Sequence, residues 1–516
     1  MAQDQGKVWL VGAGPGDPGL ITVRGLSLLS RADVVLYDAL AHPALLEACP
    51  AAERRNVGKR YGEDSAAQTA IIAQMIELAR TGKRVVRLKG GDPLMFARGA
   101  EEALALSAAG ISFEIVPGVS SPVATSAYAG ISLTHRELSS SVTFITGSDR
   151  AGKEWSPESW KKLATATDTI CVLMGMRRIV EITQAIIDGG RAPSTPAAVI
   201  HWGARPEQRV ITAPLNEIAE AAKQAGLKNP AIIIVGEVVR LREKLSWYDS
   251  RPLSGKRLVI PRAVEQARET AAAVRERGAA PLALPMIEIT DPPDPARLAR
   301  AVAELSSYDW VLLTSSNGVE RLRAELERSG RDARVFGSAK VGAIGPKTAQ
   351  ALERLGVRAD VVAQEFVGEE LAAAVLAQGA PRRALLLRAL VAREALPEAL
   401  RARGCEVDVV AAYQTRPLTD SGAELAQRIE NGSVDAMLFT SSSTVTSTLE
   451  ALGSRGKELL GRTTLASIGP VTTKTLEALG LAATVQAQIY TVEGLLDALE
   501  RHFAARPRPL DPLTRG

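Results

Sequence analysis

"KVWLVGAGPGDPGLITVRGLSLLSRADVVLYDAL", Lys7–Leu40, sets a short apolar run, Val8–Val11, directly before a glycine- and proline-rich turn, Gly12–Gly19, and a helical segment. A strand that ends in glycines and leads into a helix is how a dinucleotide-binding domain begins. The fingerprint of that domain needs a third glycine where this chain, counted from Gly12 and Gly14, has Asp17. A carboxylate there would face the helix terminus that should hold a pyrophosphate, setting two anions against each other. The turn is therefore read as a ligand-walling loop that binds no phosphate: Pro15 and Pro18 stiffen it, and its glycines permit close approach.

Working outward, strand-like runs at Val34–Tyr37, Val85–Leu88, Phe113–Val116, Val142–Thr146, Thr169–Met174, Ala197–Ile200 and Ala231–Val235 alternate with helical ones, which argues an α/β fold. Two more Gly/Pro loops follow strands, at Gly90-Gly91-Asp92-Pro93 and at Pro117-Gly118. Each alone is a turn. Three such loops at strand ends define one rim of an open sheet, which is where α/β proteins place ligands.

At 516 residues the chain calls for two to four domains. Aromatic residues are only 4% and the net charge is +4, so neither base-stacking platforms nor a general attraction to nucleic acid is expected. Cys49, Cys171 and Cys405 stand far apart, and with four scattered histidines they encode neither a disulfide framework nor a metal site. The N-terminal MAQDQGK has no basic-then-apolar signal pattern, and no apolar run reaches the roughly 18 residues of a membrane span, so no membrane association and a cytoplasmic location are expected.

A domain boundary is expected near Asp249–Gly255, after which the chain repeats itself. "YDWVLLTSSNGV" returns as "VDAMLFTSSSTV", placing Thr314 and Thr440 126 residues apart; "VGAIGPKTAQALERLGV" returns as "LASIGPVTTKTLEALGL", with Gly345 and Gly469 124 apart. Arg262 pairs with Arg388 and Gly278 with Gly404, again at 126. Four landmarks in register imply two similar α/β lobes. In each, a strand runs into Thr-Ser-Ser or Ile-Gly-Pro and then a helix, good local helix starts that serve either as caps alone or, turned toward a shared cleft, as anchors for carboxylates.

In order and spacing, "VGAGPGDPGLIT", "ADVVLYDAL", "VGKR", "VVRLKGGDP", "RGAEE", "VPGVSS", "AYAGISLTHR", "VLMGM" and "PAIIIVGEVV" resemble the uroporphyrinogen-III C-methyltransferases of the tetrapyrrole methylase family, over residues 6 to 248. The resemblance implies two α/β subdomains, S-adenosyl-L-methionine as cofactor and a homodimer through this half. It assigns the cofactor to Pro15, Gly90, Gly91, Asp92, Met95, Ser120, Ser121, Met174, Gly203 and Ala231, proton acceptance to Asp38 and proton donation to Lys59. Without it, Asp38 reads as a strand-end cap and Lys59 as a surface charge. Arg60, Arg98 and Arg136 are candidates for substrate carboxylates. Ser120 and Ser121 stand where the family has Thr and Ala, and Ser148 where a histidine is frequent.

Residues 255–503 resemble the uroporphyrinogen-III synthase family through "TSSNGVE", "AIGPKT", "AAYQT", "FTSSSTV", "SIGPVT" and "TVEGLL". This implies two α/β lobes joined by extended strands: lobe one from 255–286 and 415–503, lobe two from 287–414. By composition, the polar 249–254 reads as linker and the Pro- and Arg-rich 504–516 as a disordered tail. The implied reaction closes hydroxymethylbilane while inverting its last ring, largely a positioning task. Tyr413 and Thr472 are the implied catalytic residues. Thr314, Ser315, Ser316, Asn317, Gly345, Thr348, Thr440, Ser441, Ser442 and Gly469 are the substrate anchors. The combined expectation is conversion of hydroxymethylbilane through uroporphyrinogen III to precorrin-2, for sirohaem or cobalamin. The alternative is another cobalamin-pathway methylase carrying a non-catalytic tetrapyrrole-binding module.

Overall fold

The computed structural model describes residues 6–58, 65–147, 157–262, 264–363 and 368–505. The chain divides into two compact units, one comprising Met1–Leu258, Thr270–Leu282 and Ala487–Gly516, the other Val259–Glu269 and Ala283–Gln486.

The first unit opens with a parallel sheet of β1 (Lys7–Gly12), β2 (Val34–Tyr37), β3 (Glu53–Asn56), β4 (Val85–Lys89) and β5 (Ser112–Val116), in the order β3-β2-β4-β1-β5. Side chains alternate across it. Val8, Leu10, Val34 and Leu36 pack with Met75 and Leu106 on one face, while Val11, Val35, Val86 and Leu88 pack with Leu28 and Leu29 on the other. Because both faces are covered, the strands read as continuous apolar runs. The loops after β1, β4 and β5 therefore leave the same edge of one rigid sheet.

A second sheet is mixed: β6 (Val142–Thr146), β7 (Thr169–Leu173), β8 (Pro196–His201), β9 (Arg209–Pro214) and β10 (Ala231–Val235), ordered β6-β7-β10-β8-β9, with only β6 and β7 parallel. Neither β3 nor β9 is evident from the sequence. Each is an edge strand, and "ERRN" in β3 is mostly exposed, so burial leaves no apolar run to read.

The rest of the chain contributes β11 (Arg257–Ile260), β12 (Ala280–Ala283), β13 (Ile287–Thr290), β14 (Trp310–Leu313), β15 (Lys340–Ala343), β16 (Val361–Val362), β17 (Arg383–Ala389), β18 (Glu406–Pro417), β19 (Ala436–Phe439), β20 (Thr464–Ser467) and β21 (Val485–Gln486). They form two sheets, β12-β11-β19-β20-β21 and β13-β18-β17-β14-β15-β16. The duplication is visible at the backbone. Ser315 (φ −163°, ψ 155°) and Ser441 (φ −166°, ψ 160°) each cap a helix through the side chain, while Gly345 and Gly469 precede Pro346 and Pro470 in matching extended conformations.

Among the described residues no helix is long and apolar enough to cross a membrane, and no group of three or more His, Cys, Asp or Glu is placed to hold a metal ion.

Candidate active sites

In the first unit the three Gly/Pro loops meet. Gly14 and Gly91 exchange backbone hydrogen bonds of 3.2 and 2.9 Å, and a Cβ on Gly12 would lie 2.5 Å from the Gly118 Cα, so β1 and β5 end in backbone-to-backbone contact that only glycine permits. Asp92 fastens two of the loops: one carboxylate oxygen accepts from the Leu94 N–H at 2.8 Å and the other from the Gly118 N–H at 3.1 Å. Asp17 braces the first, accepting from the Gly19 N–H and from the Tyr128 hydroxyl, both at 2.7 Å. The residue that broke the dinucleotide fingerprint thus ties its loop to the helix Ser121–Tyr128.

The second sheet brings its share to the same place. Register sets Ala231 opposite His201, and continuing the β7–β10 ladder by one residue sets it opposite Met174. Met174 (φ 56°), Trp202 (φ 49°) and Ala204 (φ 59°) all take left-handed backbone, which for non-glycine residues marks a held conformation. Gly203 packs so closely on Thr125 that a Cβ would meet its methyl at 2.1 Å, and the Gly203 carbonyl lies 3.0 Å from where a Cβ on Gly16 would sit. Pro15, Gly90, Gly91, Asp92, Ser120, Ser121, Met174, Gly203 and Ala231 are therefore drawn together from the loops after β1, β4, β5, β7 and β8 and the first residue of β10. Met95 lies farther out on the second of them, half exposed beside exposed Leu94 and Phe96. The lining is backbone, small side chains and thioethers, with Asp92 already engaged by amides. It suits an amino-acid and adenosyl ligand without phosphate.

Asp38 follows β2, one residue beyond the Tyr37–Leu88 pair, and so stands beside Lys89 and the Gly90 loop. Its Oδ1 accepts from the Arg87 guanidinium at 2.5 Å. Behind it lies a charge network that sequence reasoning passed over: Glu102 is wholly buried, and its Oε1 accepts from Gln68 (2.9 Å), Arg87 (3.3 Å) and Lys89 (3.0 Å), while its Oε2 has no hydrogen-bond partner. Burial, then the Arg87 charge, pushes the Lys89 ammonium below its ordinary range. The signal was present in "VVRLKG". Two cations at alternate positions of a central parallel strand must both point into one covered face and need buried partners. Lys59, Arg60 and Ser148 lie outside the described residues; Arg98 is held by Glu101 at 2.6 Å, and Arg136 is exposed.

In the second unit the expected anchors form two matching pairs. Thr314–Asn317 follows β14 and Gly345–Thr348 follows its parallel neighbour β15; Thr440–Ser442 follows β19 and Gly469–Thr472 follows its parallel neighbour β20. Ser315 Oγ accepts from the Gly318 N–H (3.1 Å) and lies 3.0 Å from the Tyr413 hydroxyl. A register shift in the β17–β18 ladder pairs Ala389 with Tyr413 directly after Arg388 with Ala411, a bulge that re-aims Tyr413. Ser442 Oγ accepts from the Thr475 hydroxyl at 2.8 Å. The Thr440 hydroxyl is buried without a hydrogen-bond partner. Thr348 and Thr472 are only 3% and 4% exposed, facing inward under their helices.

Family models match in the same two places: Tetrapyrrole (Corrin/Porphyrin) Methylases over residues 7–219 and Uroporphyrinogen-III synthase HemD over residues 268–497. The porphyrin biosynthesis protein HemD of Ruminiclostridium josui is 36% identical over 96% of this chain and 98% of its own length. The siroheme synthase of Azotobacter vinelandii is 48% identical over 48% of this chain; there the chain spans about half the relative, 53%. Among solved structures, the Thermus thermophilus uroporphyrin-III C-methyl transferase complexed with S-adenyl homocysteine is 38% identical over 46% of this chain and all of its own (TM-score 0.40). A mutant uroporphyrinogen III synthase from the same species is 22% identical over 48% of this chain and 99% of its own (TM-score 0.39).

Proposed function

Because the chain belongs to the porphyrin-biosynthesis family in which a tetrapyrrole methylase precedes a uroporphyrinogen-III synthase, we propose that it converts hydroxymethylbilane to uroporphyrinogen III and then methylates that product twice to precorrin-2. The observation that carries this is the convergence of the loops after β1, β4 and β5 on Met174, Gly203 and Ala231, with Asp38 at the adjoining strand end.

S-adenosylmethionine, bound by the nine gathered residues and Met95, supplies an electrophilic methyl group. Asp38 takes the proton that the methylated macrocycle must lose. Arg87, fixed from behind by Glu102, keeps that carboxylate in place. Lys59 is the proposed proton donor. In the second half, Tyr413, oriented by Ser315, assists departure of the hydroxyl, and the paired helix starts hold the substrate carboxylates so that the substituted carbon of the last ring is the one in reach. The proposed division is methylase 1–248 and synthase 255–503, serving sirohaem or cobalamin in the cytoplasm. A homodimer through the methylase half is supported by exposed Val23 (88%), Leu104 (72%) and Val123 (50%), and by an apolar cavity of about 380 Å³ beside edge strand β5, lined by Leu94, Ala103, Leu104, Phe113 and Ile115.

The deciding experiment gives the purified chain hydroxymethylbilane and S-adenosylmethionine anaerobically and resolves products by isomer and mass. Dimethylated type-III product is expected. Type-III product without methyl groups would mean another methyl acceptor, and type-I alone would leave the second half as a binding module.

A further inference from the structure

The two lobes of the second half repeat each other, and one difference between them has chemical weight. In lobe two, parallel register pairs Leu313 of β14 with Leu387 of β17, so Thr314 and Arg388 emerge side by side. Arg388 is buried and fully answered: it donates to the Arg393 carbonyl at 2.9 Å and forms a short ion pair with Glu394. By the 126-residue offset Arg262 and Thr440 hold the corresponding places, just past the ends of β11 (Ile260) and β19 (Phe439), which are hydrogen-bonded neighbours; the chain turns after Ile260, with the Arg262 N–H donating to the Ile260 carbonyl at 2.8 Å, where Arg388 stays within its strand. Here the answer is missing. The residue corresponding to Glu394 is Arg268, and that corresponding to Arg393 is Ala267. Arg262 has no side-chain hydrogen bond or ion pair among the described residues, and burial alone holds its guanidinium below the usual range. The Thr440 hydroxyl is the orphaned one described above.

A half-buried guanidinium with no counter-ion among the described residues and a buried hydroxyl with no partner among them are each unfavourable in the unliganded protein. At the ends of neighbouring strands they offer the two halves of a carboxylate site, a fork of N–H donors and an O–H donor. Resting on the synthase reading, we propose that Arg262, with Thr440, anchors one carboxylate side chain of the linear tetrapyrrole in lobe one. The duplicated position in lobe two is closed by Glu394 and takes none. The device makes the lobes inequivalent toward a substrate whose carboxylates are many, and so fixes which end of it lies where.

The test compares the full chain with Arg262→Met, Arg262→Lys and Arg268→Glu, reading KM and kcat for type-III product from hydroxymethylbilane together with Tm. Arg262→Met should raise KM about 10- to 100-fold with kcat little changed, and should leave Tm equal or higher because an unpaired charge is removed. Arg262→Lys should recover part of the affinity. Arg268→Glu puts a carboxylate at the place that Glu394 holds in the repeat, on the helix that follows Arg262, and should raise KM. A folded Arg262→Met protein with unchanged KM overturns the proposal, as does a parallel fall in Tm and kcat that lysine does not rescue. If the unmodified chain yields only the type-I isomer, the synthase reading has failed on its own. Titration with uroporphyrin, a stable octacarboxylate, then decides the anchor separately: weaker binding by Arg262→Met supports it and equal binding overturns it.

Discussion

At the scale of single residues, the chemistry rests on side chains whose position is set by others. Asp38 is 29% exposed, yet its Oδ1 is fixed by an arginine 2% exposed, so one oxygen is held while the side chain stays partly accessible, as the proposed role of proton acceptor requires. Asp38→Asn keeps an acceptor for Arg87 and removes the proposed base. Methylation should fall about 10²- to 10⁴-fold while type-III formation stays unchanged; equal methylation by the variant would remove Asp38 from the chemistry. His42 makes a second case. Its Nδ1 accepts from the Ala44 N–H at 3.1 Å, and burial, followed by the charges of Arg275 and Arg205, lowers its pKa from 6.5 to about 4. Between those values the unfolded chain binds the additional proton, so stability rises with pH across the window and is lost as pH falls through it, by at most about 3 kcal/mol. Tm measured from pH 7 to 4 should therefore decline, and His42→Asn, which keeps the acceptor without the titration, should flatten the curve. Neither effect was legible in the sequence. Asp38 stood out only through family resemblance, and His42 depends on charges that arrive from distant segments.

At the scale of elements, caps and close approaches translate sequence into geometry most directly. The expectation that Thr-Ser-Ser begins a helix is met twice, by Ser315 and Ser441. The two serines then differ in what else they touch. Ser441 Oγ lies near Ser443 Oγ, 3.0 Å away, whereas Ser315 Oγ meets the Tyr413 hydroxyl. Ser315→Ala and Ser441→Ala should each cost about 1 kcal/mol as lost caps. Only the Ser315 change should also slow type-III formation beyond its effect on stability, by freeing Tyr413 to rotate. Matched losses of rate in the two variants would reduce Ser315 to a cap. The rim loops were readable because glycine and proline mark turns in any context. Edge strands β3 and β9 were not, since an exposed strand carries no periodic burial to read. The Tyr413 bulge was hidden for a related reason: a register shift is a property of two strands, and neither reveals it alone.

At the scale of the whole molecule, the repeat told the architecture of the second half, because four landmarks in register need no knowledge of packing. The junction was read less well. The polar run "DSRPLS", Asp249–Ser254, suggests a passive linker, since serine, proline and charges mark solvent-facing chain. The structure shows a segment tied down on several sides. Asp249 accepts from Arg242 at 2.6 Å and from Gln208 at 2.9 Å, and Leu253 is fully buried. Arg251 lies 3.6 Å over the Tyr248 ring and donates to the Arg275 and Glu276 carbonyls at 3.0 and 3.3 Å, capping the helix Val264–Glu276. Tyr248 in turn packs on Tyr128, whose hydroxyl bonds Asp17 of the first ligand loop. The joint is therefore continuous with the wall of the proposed methylase site, and the compact unit around it includes residues 270–282 and the described residues 487–505 from the far side of the sequence boundary. Replacing residues 249–254 with glycine and serine keeps the length of the chain and removes a buried leucine, a stacked arginine and a partly buried ion pair. The first unit should lose at least about 3 kcal/mol, read as a lower Tm, and methylation should weaken with it because the Asp17 loop loses its backing. An unchanged Tm would mean that these contacts add nothing to that unit.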